Sequence, residues 1–184
     1  MKVFINAGHA PNGMPDPGAV NENTGLRESD VAAKIGKLVV KYLDDAGLET
    51  KYIQSDSLIE ICAESNNWDA DVFVSIHCNA AENESARGTE CWHYSTSRYG
   101  QLLAECIQTQ IVNTLHTVDR GTKKAVPGTR TSLYVINHTD AVACLVETAF
   151  ISNEDDEQLL ADDKTVNEFA RAIARGVTDY ENLL

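Results

Sequence analysis

The sequence alternates short runs rich in β-branched and aromatic residues with longer stretches whose apolar residues recur at helical spacing. Such alternation is typical of βα units, whose strands form a parallel sheet. It predicts an α/β fold, a three-layer sandwich with a twisted, largely parallel central sheet and helices on both faces. Strands are predicted at 2–7, 50–54, 71–80, 88–94 and 141–150, and helices from 26 to about 47 and at 57–68, 97–118, 154–160 and 164–180.

Two further segments are less regular. Residues 120–132 are polar and contain glycine and proline, which predicts a surface loop, and LYVIN (133–137) predicts a short strand or a turn of helix. At 184 residues with 43% apolar residues, the chain is long enough for one core and short for two. It contains no internal repeat or low-complexity linker, so we expect a single domain over residues 1–184.

The charge balance bears on the kind of partner. Fifteen Lys and Arg residues against 28 Asp and Glu residues give a formal net charge of −13. Such a chain has no basic excess with which to displace counterions, so a nucleic-acid partner is not expected. No window approaches the roughly 20 apolar residues of a membrane helix, so membrane insertion is not expected either.

The five cysteines show no paired C-x-x-C spacing, and most lie in apolar runs. This pattern predicts buried free thiols. Cys78 follows His77 directly, but strand alternation would point the two side chains to opposite faces of the sheet. A nucleophilic role for Cys78 is therefore not expected.

Three polar residues follow or end separate predicted strands: His9 after KVFINAG, His77 in SIHCNA and Glu147 in CLVETAF. In α/β sheets, sites lie beyond the carboxyl ends of the strands. Two histidines and one carboxylate form a zinc set that leaves a coordination position open for water. We expect Glu28 to be the carboxylate, because it follows the glycine-rich loop that begins at His9.

Other acids and histidines compete for these roles. Asp16 and Asp30 are rivals for the carboxylate ligand, and Glu22 is a weaker one because its loop has no fixed relation to the strand ends. The remaining histidines are predicted to be structural or solvated, although His93 or His138 could line a substrate groove; they are His93, His116 and His138.

Glu147 ends an apolar run, where an unpaired acid would be costly to bury. A nearby metal or a raised pKa relieves that cost, and either serves catalysis. Glu147 would then act as general base toward a metal-activated water and return the proton to a leaving amine. The alternative is a structural ion pair with an arginine such as Arg120 or Arg130.

Taken together, these segments resemble the zinc-dependent N-acetylmuramoyl-L-alanine amidases of the class called amidase type 3. The resemblance spans nearly the whole chain in order, with SIHCNA followed by GTE, and VETAFISN, as its most specific parts. Ala10-Pro11 replaces a glycine that often follows the family's GH pair, and 120–123 (RGTK) resembles a stretch that borders the substrate groove. The other matching segments are INAGHAPNGMPDPGA, GLRESDVAAKIGKLVVKYLDDAGLET, DRGTKKA and LYVI.

The resemblance implies one zinc ion on His9, Glu28 and His77, with Glu147 as the catalytic glutamate. It implies hydrolysis of the amide between N-acetylmuramic acid and L-alanine in bacterial peptidoglycan. Two alternatives remain: a zinc carboxypeptidase or peptidase acting on stem peptides, and a wall-binding module without catalysis.

The segment KVFINAG is too short for the apolar region and cleavage site of a signal peptide, so we expect none. We therefore expect a protein made in the cytoplasm that reaches the cell wall after release, as a phage endolysin does. A host extracellular enzyme with a trimmed leader is the alternative. The sequence does not determine the oligomeric state.

Overall fold

The computed structural model describes all 184 residues and contains one six-stranded sheet in the order β2-β1-β3-β6-β4-β5. Neighbouring strands are parallel except β4 and β6, which pair antiparallel. The predicted largely parallel sheet is therefore confirmed. The strands are β1 (Lys2–Ala7), β2 (Glu49–Gln54), β3 (Val72–Asn79), β4 (Thr89–Tyr94), β5 (Asp119–Ala125) and β6 (Val142–Phe150).

Helices cover both faces of the sheet, which confirms the predicted three-layer sandwich. Helices α1, α3 and α6 pack on one face, and α2 and α4 pack on the other. None of the helices combines the length and the apolar character that a membrane span requires. The helices are α1 (Glu28–Asp45), α2 (Leu58–Asn67), α3 (Arg98–Leu115), α4 (Tyr134–His138), α5 (Glu154–Ala161) and α6 (Asp163–Glu181).

The two faces differ in how completely they are covered. The face under α1, α3 and α6 belongs to a core of 31 buried apolar residues, whereas the face under α2 and α4 holds nine. We call the second one the cleft face. Because side chains alternate along a strand, Asn6, Ser75, His77 and Glu147 all fall on the cleft face with its core residues. The polar residues therefore lie where helical cover is thinnest.

The structure corrects the prediction for residues 120–132. Asp119–Ala125 forms the edge strand β5 rather than a loop. Its sequence DRGTKKA has no apolar alternation, because this edge strand buries only Ala125 completely. LYVIN becomes the one-turn helix α4, which is one of the two predicted options. Asn153 caps the start of α5, since its Oδ1 accepts a hydrogen bond from the Asp156 amide at 3.1 Å.

All five cysteines are free, as expected. Cys78 is buried in the larger core, on the sheet face opposite His77. Burial raises the pKa of its thiol well above the usual value, which does not suit a nucleophile. The expectation that Cys78 is a core residue is confirmed.

Candidate metal centre and active site

His9 is placed by the end of β1. The Gly8 amide donates to the Ile76 carbonyl at 2.9 Å, which extends the pairing with β3 by one residue. His9 itself then adopts φ +65°, a conformation that L residues rarely take. This turn directs the His9 ring back over the end of the sheet, with its centroid 5.1 Å from that of His77.

Glu28 is the first residue of α1, and its carboxylate lies between the two imidazoles. Its Oε2 is 3.0 Å from His9 Nε2, and its Oε1 is 2.9 Å from His77 Nδ1. The backbone amides of Ala19 and Cys78 also donate to it, at 2.9 and 3.0 Å. The residue is only 4% exposed. The predicted convergence of His9 and Glu28 is therefore present in the structure.

Burial alone would raise the pKa of the Glu28 carboxyl, but hydrogen bonds to His77 and His9 lower it overall. For His9, burial would lower the pKa, and the carboxylates of Glu28 and Asp16 outweigh that effect and raise it to about 9. Without a cation, the cluster therefore keeps an ionised acid beside a protonated imidazole. A divalent ion bound there would replace that proton.

The second nitrogen of each imidazole has a partner of its own. His9 Nδ1 lies 2.8 Å from Asp16 Oδ2, and Asp16 Oδ1 accepts from the Gly18 amide at 2.9 Å. His77 Nε2 lies 3.1 Å from Ser75 Oγ. Ser75 in turn donates to Asn6 Oδ1 at 2.7 Å, so its oxygen is left to accept from the imidazole. These contacts leave His9 Nε2 and His77 Nδ1 free to bind a metal.

The rival acids do not join the cluster as ligands. Asp16 lies on the far side of the His9 ring from Glu28, where it orients the ring. Asp30 forms a 2.7 Å ion pair with Arg27. Glu22 lines a separate polar depression beside Asn21 and Glu82.

The donor set and its packing fit a zinc ion. One ligand atom from each of His9, Glu28 and His77 lies within 4.8 Å of the others, and two imidazoles with a carboxylate are ligands that zinc commonly takes. Two glycines make room for these rings. A Cβ on Gly8 would come within 2.4 Å of the His77 ring, and one on Gly18 within 2.6 Å of Glu28 Oε2.

Glu147 lies on β6 directly opposite His77 of β3. Its Oε2 atom is fully buried and has no hydrogen-bond partner. The pKa of Glu147 is raised to about 7, mainly by burial; His77 opposes the rise, and the Glu28 and Glu90 carboxylates add to it. A carboxyl group with one buried, unpaired oxygen beside such a cluster is poised for proton transfer.

The alternative prediction, an ion pair between Glu147 and Arg120, is wrong. The Nε of Arg120 donates to Glu90 Oε2 at 2.8 Å, and Arg130 is an exposed loop residue that forms no salt bridge. Glu147 therefore has no cationic side chain to neutralise it.

Glu90 is a buried site residue that the sequence analysis did not identify. It lies opposite Glu147 across the β4–β6 pair, and its Oε1 accepts from Asn79 Nδ2 at 3.3 Å and Trp92 Nε1 at 3.2 Å. Because β4 runs antiparallel to β6, the start of β4, not its end, meets the carboxyl end of β6. If β4 is assumed to run parallel to β6, Glu90 falls at the opposite edge of the sheet from the site. The sequence analysis noted the GTE triplet that contains Glu90 but not its position in the site.

A cavity of about 300 Å³ opens from the cluster along the cleft face. His9 and His77 border it, together with the start of α2 and the segment leading into α4. Its apolar lining residues are Leu58, Ile61, Leu133, Tyr134, Val135 and Leu145. The cluster therefore faces a cleft that can receive a substrate.

The other histidines lie outside the cluster. His93 is buried on the face opposite the cleft, and His116 ends α3 in a left-handed conformation. His138 stacks on Tyr134 at a centroid distance of 3.9 Å. Since Tyr134 lines the cavity, His138 borders the cleft indirectly, whereas His93 does not.

The fold and the site together define an α/β protein whose His-Glu-His donor set, beside the carboxyl group of Glu147, is of the kind that zinc hydrolases use. The Amidase_3 family model, described as N-acetylmuramoyl-L-alanine amidase, matches residues 3–179. The chain belongs to this family, and the predicted enzyme class is confirmed.

Individual relatives agree with that assignment. The chain is 34% identical to the N-acetylmuramoyl-L-alanine amidase LytC of Bacillus subtilis (strain 168), in an alignment covering 97% of this chain and 35% of LytC. It is 32% identical to the endolysin of Bacillus phage SPP1, over 98% of this chain and 66% of the endolysin. It thus spans about a third of the first and two thirds of the second.

Among solved structures, the amidase AmiC2 of Nostoc punctiforme is similar, with a TM-score of 0.88 and 31% identity. The alignment covers 99% of this chain and 97% of that one. The α/β fold is therefore that of an amidase catalytic domain.

Proposed function

We propose that this chain hydrolyses the amide that joins N-acetylmuramic acid to L-alanine in bacterial peptidoglycan, with one zinc ion held by His9, Glu28 and His77. Glu147 is the general base and then the general acid. The observation that carries the proposal is the convergence of three ligand atoms beside a buried carboxylate oxygen that has no partner. The family match supports the choice of substrate.

A zinc ion in this cluster would supply Lewis-acid activation of water and of the substrate carbonyl. The protein fixes which nitrogen of each imidazole is available for that ion. Asp16 accepts a hydrogen bond from Nδ1–H of His9, and Ser75 accepts one from Nε2–H of His77. Glu28 contributes the one negative charge of the set.

Glu147 manages the protons of the reaction. As a carboxylate, it takes a proton from the water that attacks the carbonyl carbon. It then passes that proton to the amide nitrogen as the C–N bond breaks, so that the L-alanine amine leaves uncharged. In the metal-free protein the pKa of this group is raised to about 7, and a carboxyl group with a raised pKa can hold and release a proton near neutral pH.

The site of action follows from the substrate. Peptidoglycan lies in the cell wall, and the similar LytC and the phage endolysin carry names of wall-degrading enzymes. We propose that residues 1–184 act there as one catalytic domain, because a single core packs the first strand together with the last helix, α6. The phage-type release route and the trimmed-leader route both remain compatible with this proposal.

Digestion of purified sacculi tests the proposal. The expected products are glycan strands with intact lactyl groups and peptides with a free N-terminal L-alanine, identified by mass spectrometry. Loss of a terminal D-alanine would instead support the carboxypeptidase alternative. Binding to sacculi without any release would support the wall-binding alternative, and Glu147→Gln provides the matched inactive protein.

A further inference from the structure

Five polar residues of the site lie on five strands that adjoin in the sheet. In spatial order they are His9 after β1, His77 on β3, Glu147 on β6, Glu90 on β4 and Arg120 on β5. The metal-type cluster occupies one end of this row, and Arg120 occupies the other. Glu147 lies between them.

Arg120 owes its position to a β-bulge. Thr89 pairs with Asp119 and Cys91 pairs with Thr122, so Arg120 and Gly121 together face Glu90. Asp119 Oδ1 stabilises the bulge by accepting from the Gly121 amide at 2.8 Å. Bulges of this kind redirect a side chain near an active site.

The guanidinium of Arg120 is held rigidly but is only partly used. Its Nε donates to Glu90 Oε2 at 2.8 Å, and its Cζ lies 4.7 Å from the centroid of the Phe150 ring. The two Nη groups have no hydrogen-bond partner, and the side chain is 35% exposed. Arg120 therefore presents a preoriented pair of donors, the geometry that matches a carboxylate.

A second cation lies on the same strand and the same face of the sheet. Lys123 pairs with Trp92 in the β4–β5 register, which puts it on the cleft face, and it forms no salt bridge. The chain as a whole has a net charge of −13, whereas this side of the cleft face carries two cations with free hydrogen-bond donors. Their charge complements an anionic group of a substrate.

We propose that Arg120, on the same face of the sheet as Lys123, binds the free α-carboxylate of the D-glutamate that follows L-alanine in the stem peptide. The proposal rests on the amidase function proposed above. The direction follows from Glu147, which must deliver its proton to the amine. Because Glu147 separates the cluster from Arg120, the peptide leaves toward β4 and β5, and the lactyl and glycan side faces the cavity.

The distances are compatible. Two strand spacings separate β6 from β5, roughly 9.5 Å. The backbone from the scissile nitrogen to the next residue's α-carboxylate spans about 7 Å when extended. The Arg120 side chain reaches back toward β4 and covers the remainder. A D-isoglutamine in place of D-glutamate would present a neutral amide to the same donors.

The test compares two muropeptides that differ only in this group, one with D-glutamate and one with D-isoglutamine. For the wild-type protein we expect kcat/KM to favour the free acid by about tenfold or more, the usual size of a charge-assisted hydrogen bond. In Arg120→Gln the preference should fall to near unity, mainly through a higher KM for the acid substrate. Arg120→Lys should keep part of the preference, because charge remains while the paired donors are lost.

Two controls separate binding from structure. Arg98→Gln removes the same charge from an exposed position on α3, in the opposite layer, and should leave the preference unchanged. The double variant Glu90→Gln/Arg120→Gln removes the buried acid that Arg120 neutralises, and it should also lack the preference while folding normally.

An equal loss on both substrates in Arg120→Gln, or a wild-type protein without preference, would overturn the assignment and leave Arg120 as a support for Glu90. If the wild-type protein cleaves neither muropeptide, the amidase proposal fails. The two failures are thus distinguishable.

Discussion

The two halves of the site differ in how their polar atoms are satisfied. Around His9 and His77, the second nitrogen of each ring has a partner, and Glu28 accepts four hydrogen bonds and ion pairs. Beside them, Glu147 buries an oxygen that has none. Buried polar groups are normally paired, since an unmade hydrogen bond costs about 1–3 kcal/mol. The cluster of His9, Glu28 and His77 is therefore suited to bind a metal ion in a fixed position, whereas Glu147 has an oxygen available to accept a proton.

The largest expected effect separates the two halves by function. Glu147→Gln keeps the shape of the side chain and removes its basicity, so kcat on sacculi should fall by about 10²–10⁴-fold. Zinc content should not change, because Glu147 is not among the three ligands. A variant that retains full lytic activity would mean that another residue is the base; Glu90→Gln is then the variant to measure.

Glu147 should also affect how the free energy of unfolding depends on pH. Its pKa is raised from 4.5 to about 7 in the folded protein, so between these values the unfolded chain loses a proton that the folded chain keeps. The contribution of Glu147 to folding stability therefore falls as pH rises through this window, by about 3 kcal/mol in total, and that contribution is constant outside it.

Urea unfolding of the metal-free wild type and of Glu147→Gln, each at about pH 5 and about pH 8, isolates this loss. Glu147→Gln should lack it, so the two proteins should differ more in stability at the higher pH. Parallel pH profiles for both would show that Glu147 ionises normally and is not the poised group described here.

A smaller effect is expected from loosening the first half. Asp16→Asn weakens the acceptor for His9 Nδ1, and loss of such a partner typically lowers metal affinity by about 10–100-fold. Competition with a chelator measures the zinc affinity of the wild type and of Asp16→Asn directly, without an activity assay. Asp30→Asn on the first turn of α1 makes the same chemical change outside the cluster and should have no effect. Equal affinities in all three proteins would remove Asp16 from the metal site.

The cluster was predictable from sequence because each member is tied to a regular element. His9 and His77 follow from strand ends, and Glu28 follows from the start of a helix. The rules for parallel sheets place those positions together. The pairing of Ser75 with His77 was not predictable, because several nearby acceptors compete and only side-chain geometry selects among them.

The positions of Glu90 on β4 and Arg120 on β5 were not predicted, for a different reason. Strand β5 has no apolar alternation, and Glu90 reaches the site only because β4 runs antiparallel to the rest. Neither strand direction nor a bulge at Arg120 is visible in local periodicity. Tertiary pairing decides both.

The most direct test of the account is the zinc content of three purified proteins: the wild type, His77→Ala and Glu147→Gln. Three protein ligands predict about one zinc per chain in the wild type and in Glu147→Gln, and very little in His77→Ala. A wild-type protein that degrades sacculi without bound zinc, or an equal zinc content in all three, would contradict the assignment of His9, Glu28 and His77 as the metal centre.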